Sequence, residues 1–318
     1  MERIIVTDGY TLNPGDLNWD VLNTFGDVTV HERSDDQSLV IERCKSATII
    51  VTNKTPISAE VMDAVSQLKL VIVTATGYNI VDTAHANKRN IVVSNVPGYG
   101  TDSVAQHTFA LLLELVSHVG KNAKSVSEGE WSNSKDFCYS KAPIIEISSK
   151  TLGIIGYGKI GQKVAAIARA FGMKVMYHNS STRPGKEESV SVEQVFRESD
   201  FVSLHCPLTN ENRGFVNRDL ISIMKPSAYL VNTARGQLIN ENDLAQALEN
   251  KTLAGAALDV LSKEPPDGNN PLIGINNCII TPHTAWLSYE ARQRIMMTTI
   301  DNISNFLAGR PKNIVGQL

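Results

Sequence analysis

Gly153-Ile154-Ile155-Gly156-Tyr157-Gly158-Lys159-Ile160-Gly161 is the stretch on which the reading of this chain turns. It continues an apolar run begun at Thr151-Leu152 and opens a segment, Gly161 to Phe171, with helical periodicity. Three glycines spaced G-x-G-x-x-G between a strand and a helix have separate tasks. Gly156 permits a tight turn, Gly158 lets the backbone approach a pyrophosphate, and Gly161 lets helix and strand pack together. The helix N-terminus offers unpaired N–H groups and the positive end of its dipole to phosphate charge. The motif alone is a weak signal. Its strand–turn–helix setting makes residues 156–161, with Tyr157, Lys159 and Ile160 between the glycines, the expected dinucleotide turn.

Outward from that turn the chain alternates β-branched runs with longer amphipathic stretches, the βαβα rhythm of a parallel sheet covered on both faces. Downstream strands are predicted at 174–178, 200–205, 228–233, 255–260 and 278–281. With 151–155 these make six, as two mononucleotide-binding halves of a Rossmann sheet require. Upstream, 3–7, 27–31, 47–52, 70–74 and 91–94 form a second, smaller doubly wound series of flavodoxin-like type, without the glycine fingerprint. Helical spacing covers 101–119, with Asp102 as candidate cap, and 288–307. The last helix is expected to return to the first domain. The fold class is therefore α/β with two doubly wound parallel-sheet domains: a discontinuous substrate domain, 1–98 and 287–318, around an inserted cofactor domain, 99–286. Ligands of open α/β sheets bind at the carboxyl ends of strands, so substrate is expected in the cleft between the two. Residues 121–150 are less regular. Trp131, Phe137 and Tyr139 among Ser, Lys and Asn read either as a solvated loop or as an arm onto a second subunit.

At 318 residues the chain has room for two domains, each with its own core. A net charge of −3 without a basic block speaks against nucleic acid as partner. No signal-peptide apolar region follows Met1, and no window holds the roughly eighteen apolar residues of a membrane span. The four cysteines, Cys44, Cys138, Cys206 and Cys278, form no C-x-x-C pair and read as free thiols of a cytoplasmic protein. No spacing of His, Cys and acids suggests a metal site.

Three segments at the ends of predicted strands carry residues fit for chemistry on an oxo acid: Val231-Asn232-Thr233-Ala234-Arg235-Gly236, Asp259-Val260-Leu261-Ser262-Lys263-Glu264-Pro265 and Thr281-Pro282-His283-Thr284-Ala285-Trp286. Arg235 can fork two N–H bonds onto a carboxylate. His283 is the natural general acid near neutral pH, and Glu264, if adjacent, favours its imidazolium form. Each of the three, taken singly, is equally readable as a surface or structural group. His107 and His118 sit in the long helix, and His31 and His85 read as peripheral.

With these motifs in this order the chain resembles the NAD(P)-dependent D-2-hydroxyacid dehydrogenases over nearly its full length. The residues that carry the likeness are Gly156–Gly161, His205-Cys206-Pro207-Leu208-Thr209, Asn232-Thr233-Ala234-Arg235-Gly236, Leu258-Asp259-Val260 with Glu264-Pro265, and Thr281-Pro282-His283. The resemblance implies that Arg235, Glu264 and His283 are the catalytic set. It further implies that Asp259 holds the nicotinamide carboxamide and that Cys206, Pro207, Thr233 and Ala234 line the cofactor cleft, with His205 structural. Through Thr74-Ala75-Thr76-Gly77-Tyr78-Asn79 it implies that the Thr76 and Gly77 N–H groups bind the substrate carboxylate opposite Arg235. Asn53, at an earlier strand end, either borders the same pocket or caps the following turn. Gln106 stands where the family usually has Glu. A homodimer through the cofactor domain is implied as well.

The opening Asp8–Asp16 segment and the Thr284-Ala285-Trp286 tail are most similar to glycerate dehydrogenases, so hydroxypyruvate or glyoxylate is the expected substrate. Trp286 reads as a pocket wall or a packing residue. Phosphoglycerate and phosphite dehydrogenases share the pattern, as do corepressor-like nucleotide sensors, whereas Glu264 speaks against a formate dehydrogenase, which carries Gln there. An NAD site usually has an acid after its second strand to bind the ribose hydroxyls. Here Asn179-Ser180-Ser181-Thr182-Arg183 follows Lys174–His178. An amide, hydroxyls and a guanidinium can donate to a 2′-phosphate, which favours NADP; the alternative is that Asn179 binds the ribose of NAD.

Overall fold

The computed structural model describes residues 1–180 and 189–316, which divide into two compact units, Met1–Gly100 with Leu287–Leu318 and Thr101–Trp286. The first unit is built on a five-stranded parallel sheet: β1 (Glu2–Val6), β2 (Gly26–Val30), β3 (Ile49–Thr52), β4 (Leu70–Val73) and β5 (Val92–Ser94), in the order β2-β1-β3-β4-β5. This is the flavodoxin-like order, and its pattern shows why. β3 and β4 are apolar on both faces and buried at every residue, as central parallel strands must be, whereas β2 is largely exposed at the edge. Alternate residues feed two cores. Ile5, Ile50, Val71 and Val93 face one, while Ile4, Val6, Ile49, Val51, Leu70 and Ile72 face the other. The helix Tyr289–Leu307 closes the second core through Ile300, Ile303 and Phe306.

The second unit carries six parallel strands: β6 (Thr151–Ile155), β7 (Lys174–His178), β8 (Phe201–Leu204), β9 (Tyr229–Asn232), β10 (Gly255–Leu258) and β11 (Cys278–Ile280), in the order β11-β10-β9-β8-β6-β7. The chain steps outward from β6 to β7, then crosses back to β8 on the other side. The glycine turn after β6 thus sits at the point where strand order reverses, the place at which open α/β sheets bind ligands. The sheet is not two equal halves. Among the described residues nothing pairs beyond β7 except Val190, whose N–H reaches Tyr177 O at 3.0 Å.

Two local expectations need correction. Asp102 lies in the first turn of the helix Thr101–Ser117 rather than capping it, and its carboxylate pairs with Lys163 at 2.8 Å. The long helix ends at His118, whose φ of 51° breaks it, and a second helix, Val119–Ser127, occupies the start of the segment read as irregular. The Glu114 carboxylate accepts the Gly120 N–H at 3.1 Å, satisfying an orphan donor at the start of that helix, an arrangement periodicity does not reveal. Beyond it the chain is a loop folded by Trp131 Nε1 donating to Phe137 O at 3.0 Å, with Phe137 itself 89% exposed.

Candidate active site

One row of paired residues runs across the second sheet: His178, Ile155, Leu204, Asn232, Leu258 and Ile280. The residues that follow them are Asn179, Gly156, His205, Thr233, Asp259 and Thr281. Every segment singled out in the second unit therefore leaves the sheet at one edge, with neighbouring strands about 4.8 Å apart.

At the switch point the glycines have distinct geometries. Gly156 has φ 96°, and a Cβ there would lie 2.5 Å from the Cys206 N. A Cβ on Gly161 would overlap the Gly156 carbonyl, whereas one on Gly158 would meet nothing within 4 Å. Two glycines are thus demanded by the protein itself and the third leaves open space over the turn. Behind it the helix Lys159–Ala170 starts at Gly158 without a side-chain cap. An open glycine in front of an uncapped helix N-terminus fits a dinucleotide pyrophosphate. Tyr157 stacks on Tyr177 with centroids 3.9 Å apart and planes 9° apart, and its N–H donates to Asn179 Oδ1 at 3.3 Å. Asn179 is further held by its N–H on Ser189 Oγ at 2.9 Å, and Ser180 is exposed beside it. Ser181, Thr182 and Arg183 lie outside the described residues.

The Cys206-Pro207 segment borders the same turn, with Pro207 exposed. Burial pushes the Cys206 thiol up to about 11 and the His205 imidazole down to about 4. His205 Nε2 is 2.8 Å from Ser203 Oγ, so a neutral ring held by its own strand is what the structure provides.

After β9, Asn232 shapes the turn. Its Oδ1 accepts Ala234 N–H at 2.9 Å and its Nδ2 donates to Arg235 O at 2.8 Å. Arg235 is exposed, with Nη1 donating to Ala234 O at 2.7 Å. The next residue, Gly236, lies so close to the Leu261 carbonyl that any side chain would collide, which clamps the arginine loop onto the segment bearing Glu264. Thr233 is buried, its hydroxyl 3.0 Å from that of Thr108.

Glu264 and His283 meet directly. Glu264 Oε2 lies 2.6 Å from His283 Nδ1, and Oε1 accepts Leu261 N–H at 3.1 Å. His283 adopts the left-handed region, φ 55°, which is costly for a residue with a Cβ. Its N–H bonds both Asp259 O at 2.8 Å and Thr281 O at 2.9 Å, and these hold it there.

Asp259 fastens the whole segment. Its Oδ1 accepts from Thr281 Oγ1 at 2.6 Å and Thr284 N at 2.8 Å, and its Oδ2 from Ala285 N at 2.9 Å. His107 Nε2 stands 3.3 Å from Oδ1 and 3.1 Å from Thr281 Oγ1. Burial pushes the Asp259 carboxyl up, but the donors from His107, Thr281, Ala285 and Thr284 outweigh it and leave the group below its usual range. The residue is 1% exposed. The geometry has Asp259 anchor the His283 segment. His107, from the long helix, belongs to this anchor. Its partners lie some 150 to 175 positions away, beyond the reach of helical spacing. Trp286, at the end of the segment, is buried, as a packing residue is.

In the first unit, Thr76 and Gly77 follow β4. Thr76 Oγ1 donates to Val96 O at 3.0 Å and Asn95 Nδ2 to Thr76 O at 2.7 Å, while no hydrogen bond within the described residues takes the Thr76 and Gly77 N–H groups. Asn53 does not cap the turn after β3. Asp8 does, accepting the N–H groups of Asn53, Lys54 and Thr55 at 2.8, 2.5 and 2.9 Å. The Asn53 side chain instead donates through Nδ2 to Thr74 O at 2.9 Å and Thr74 Oγ1 at 3.0 Å.

Residues 109–285 match the D-isomer specific 2-hydroxyacid dehydrogenase NAD binding domain. The chain is 44% identical to the hydroxypyruvate reductase of Blautia hydrogenotrophica over 99% of its own length and all of that relative's. It is 40% identical to the glycerate dehydrogenase of Methylorubrum extorquens over 87% of its length and 88% of that protein's. Among solved structures, an acyclic imino acid reductase in complex with NADPH and D-Arg superposes with a TM-score of 0.86 at 36% identity, covering 98% of this chain and 99% of that one. A glycine turn at the strand reversal, a carboxylate–imidazole pair at the same sheet edge and full-length identity of this order agree: the chain belongs to the D-isomer specific 2-hydroxyacid dehydrogenases.

Proposed function

We propose that this protein reduces a small 2-oxo acid, hydroxypyruvate or glyoxylate, to the D-2-hydroxy acid with NAD(P)H, and catalyses the reverse reaction. The observation that carries the reading is the 2.6 Å pair of Glu264 and His283 at the sheet edge that also bears Arg235 and the glycine turn. The glycine turn 156–161 and the helix behind it hold the pyrophosphate, with Asn179 and Ser180 toward the ribose and Cys206, Pro207, Thr233 and Ala234 along the remainder. A bound nicotinamide dinucleotide supplies the hydride for the carbonyl carbon.

Arg235 takes the substrate carboxylate in a bidentate grip. An ionised Glu264 can only accept, so His283 Nδ1 donates to it and Nε2 is left to face the reaction. His283 gives its proton to the carbonyl oxygen as charge develops there, and Glu264 holds the ring in place through Nδ1. In the reverse direction the neutral ring accepts the proton. Positioning and charge stabilisation are the protein's contribution.

An amide at position 179 in place of a carboxylate supports NADP over NAD, since it does not repel a 2′-phosphate. The exposed Phe137, Trp131 and Ile144 of the 128–150 loop support an apolar contact with a second copy, hence a homodimer. Four free cysteines, and no helix among the described residues long and apolar enough to cross a membrane, agree with a cytoplasmic enzyme. The test is nicotinamide absorbance with NADPH and NADH against hydroxypyruvate, glyoxylate, pyruvate and formate. Turnover of hydroxypyruvate or glyoxylate is expected; inertness toward every 2-oxo acid with either cofactor would end the reading.

A further inference from the structure

Glu264 rides on a loop that burial does not hold. Leu261 is buried, but the chain from Ser262 to Asn269 is exposed and lies in no helix or strand. Hydrogen bonds at its start fix it instead. Glu241 Oε1 accepts the Ser262 N–H at 2.6 Å, and Oε2 accepts the Ser262 hydroxyl at 2.8 Å and Asn270 Nδ2 at 2.9 Å. From another side Gln237 Nε2 donates to Ser262 O at 2.7 Å. Both backbone groups of Ser262 are thus taken by side chains. One comes from the first turn of the helix Glu241–Glu249, the other from the short turn after Arg235. The Asn270 amide has a fixed sense, because its Oδ1 accepts the Leu272 N–H at 3.0 Å. Three donors therefore converge on the Glu241 side chain. A carboxylate accepts all three, whereas an amide of the same size presents a donor to at least one of them.

We infer that Glu241, with Gln237, is a positioning residue for hydride transfer: it holds the Ser262 peptide and through it sets where the Glu264 carboxylate meets His283. The inference rests on the 2-oxo acid reading above and deepens it. Its effect passes along the backbone from Ser262 to Glu264, whose other oxygen is tied to the adjoining Leu261 N–H. A misplacement of about 1 Å at a reacting group can cost about 100-fold in rate, so a loop fixed only by such bonds governs turnover.

The experiment measures kcat for Glu241→Gln in two backgrounds, the unaltered protein and Glu264→Ala, which keeps His283 but leaves no carboxylate to place. Substrate and cofactor are the pair, from hydroxypyruvate or glyoxylate and NADPH or NADH, that the unaltered protein turns over fastest. Glu241→Gln should lower kcat by about tenfold in the unaltered protein, with dinucleotide Kd unmoved, and by less than about twofold in Glu264→Ala. An unchanged kcat in the unaltered protein overturns the inference. So does the same fold loss in both backgrounds, the mark of a merely structural role, which lowers the active fraction whatever stands at 264. Should Glu241→Gln not fold, Gln237→Met, which removes the other hold on Ser262, decides by the same comparison. These outcomes leave 2-oxo acid reduction standing, whereas no turnover of either acid by the unaltered protein removes that reading together with this one.

Discussion

His283 Nδ1 lies 2.6 Å from Glu264 Oε2, and the other Glu264 oxygen is tied to the Leu261 N–H at 3.1 Å. The carboxylate is therefore anchored to its own loop before it meets the ring, and a glutamate so held orients the imidazole rather than following it. The clamp of Gly236 on Leu261 passes that rigidity on to Arg235.

His283→Ala is expected to lower turnover by about 10²–10⁴-fold with dinucleotide affinity unchanged. Glu264→Gln, which can still accept from Nδ1 but carries no charge, should lower it less, by about 10–100-fold. Steady-state rates and a cofactor fluorescence titration measure both. Near-normal turnover in the alanine variant would remove the acid–base assignment.

The Asp259 anchor predicts an acid-sensitive stability. Its folded pKa lies below the ordinary carboxylate value of 3.8, because four sets of donors outweigh burial. Protonation therefore favours the unfolded chain. The stability the group contributes is present above that value and lost as pH falls through the folded one. Asp259→Asn should cost about 1.5–3 kcal/mol at neutral pH and flatten the acid limb of a plot of Tm against pH. An unchanged acid limb would show that other carboxylates govern it; Asp200, also lowered, is the first to examine.

The glycines predict opposite outcomes. Gly158→Ala adds a methyl into open space, so Tm should move by no more than about 0.5 kcal/mol's worth while dinucleotide Kd rises at least about tenfold. Gly156→Ala forces a Cβ to 2.5 Å from the Cys206 N at φ 96°, and should cost more than about 1 kcal/mol in stability before any ligand is added. Thermal melts with and without NADPH distinguish the two. A Gly158→Ala protein that binds dinucleotide normally would remove the pyrophosphate from that face of the turn.

Asn179→Asp places a carboxylate beside the Tyr157 N–H, where the amide oxygen now accepts at 3.3 Å. The carboxylate can keep that bond while repelling a 2′-phosphate. The ratio of kcat/KM with NADPH to that with NADH should fall by about tenfold or more. An unmoved ratio would place the choice of cofactor elsewhere.

What the sequence determined by itself was local or ordered along the chain. Apolar runs located all eleven strands among the described residues to within about two positions, because parallel strands buried on both faces are continuous apolar stretches. Gly156, Gly158 and Gly161 were legible from their spacing between a strand and a helix, although what crowds Gly156 is the distant Cys206 backbone and Gly158 meets no protein atom at all. Arg235, Glu264 and His283 were legible as residue types at strand ends. Tertiary structure decided which groups meet. Asp259 is legible in sequence as a strand-end acid, but its protein partners are not; only the packing of the helix Thr101–Ser117 brings His107 to it, and only the return of 281–285 closes it off. Asn53 and Thr74 lie 21 positions apart and become neighbours through strand register alone. Hydrogen bonds of such long sequence separation leave no periodic trace, since they depend on where strands end in space rather than on any spacing along the chain.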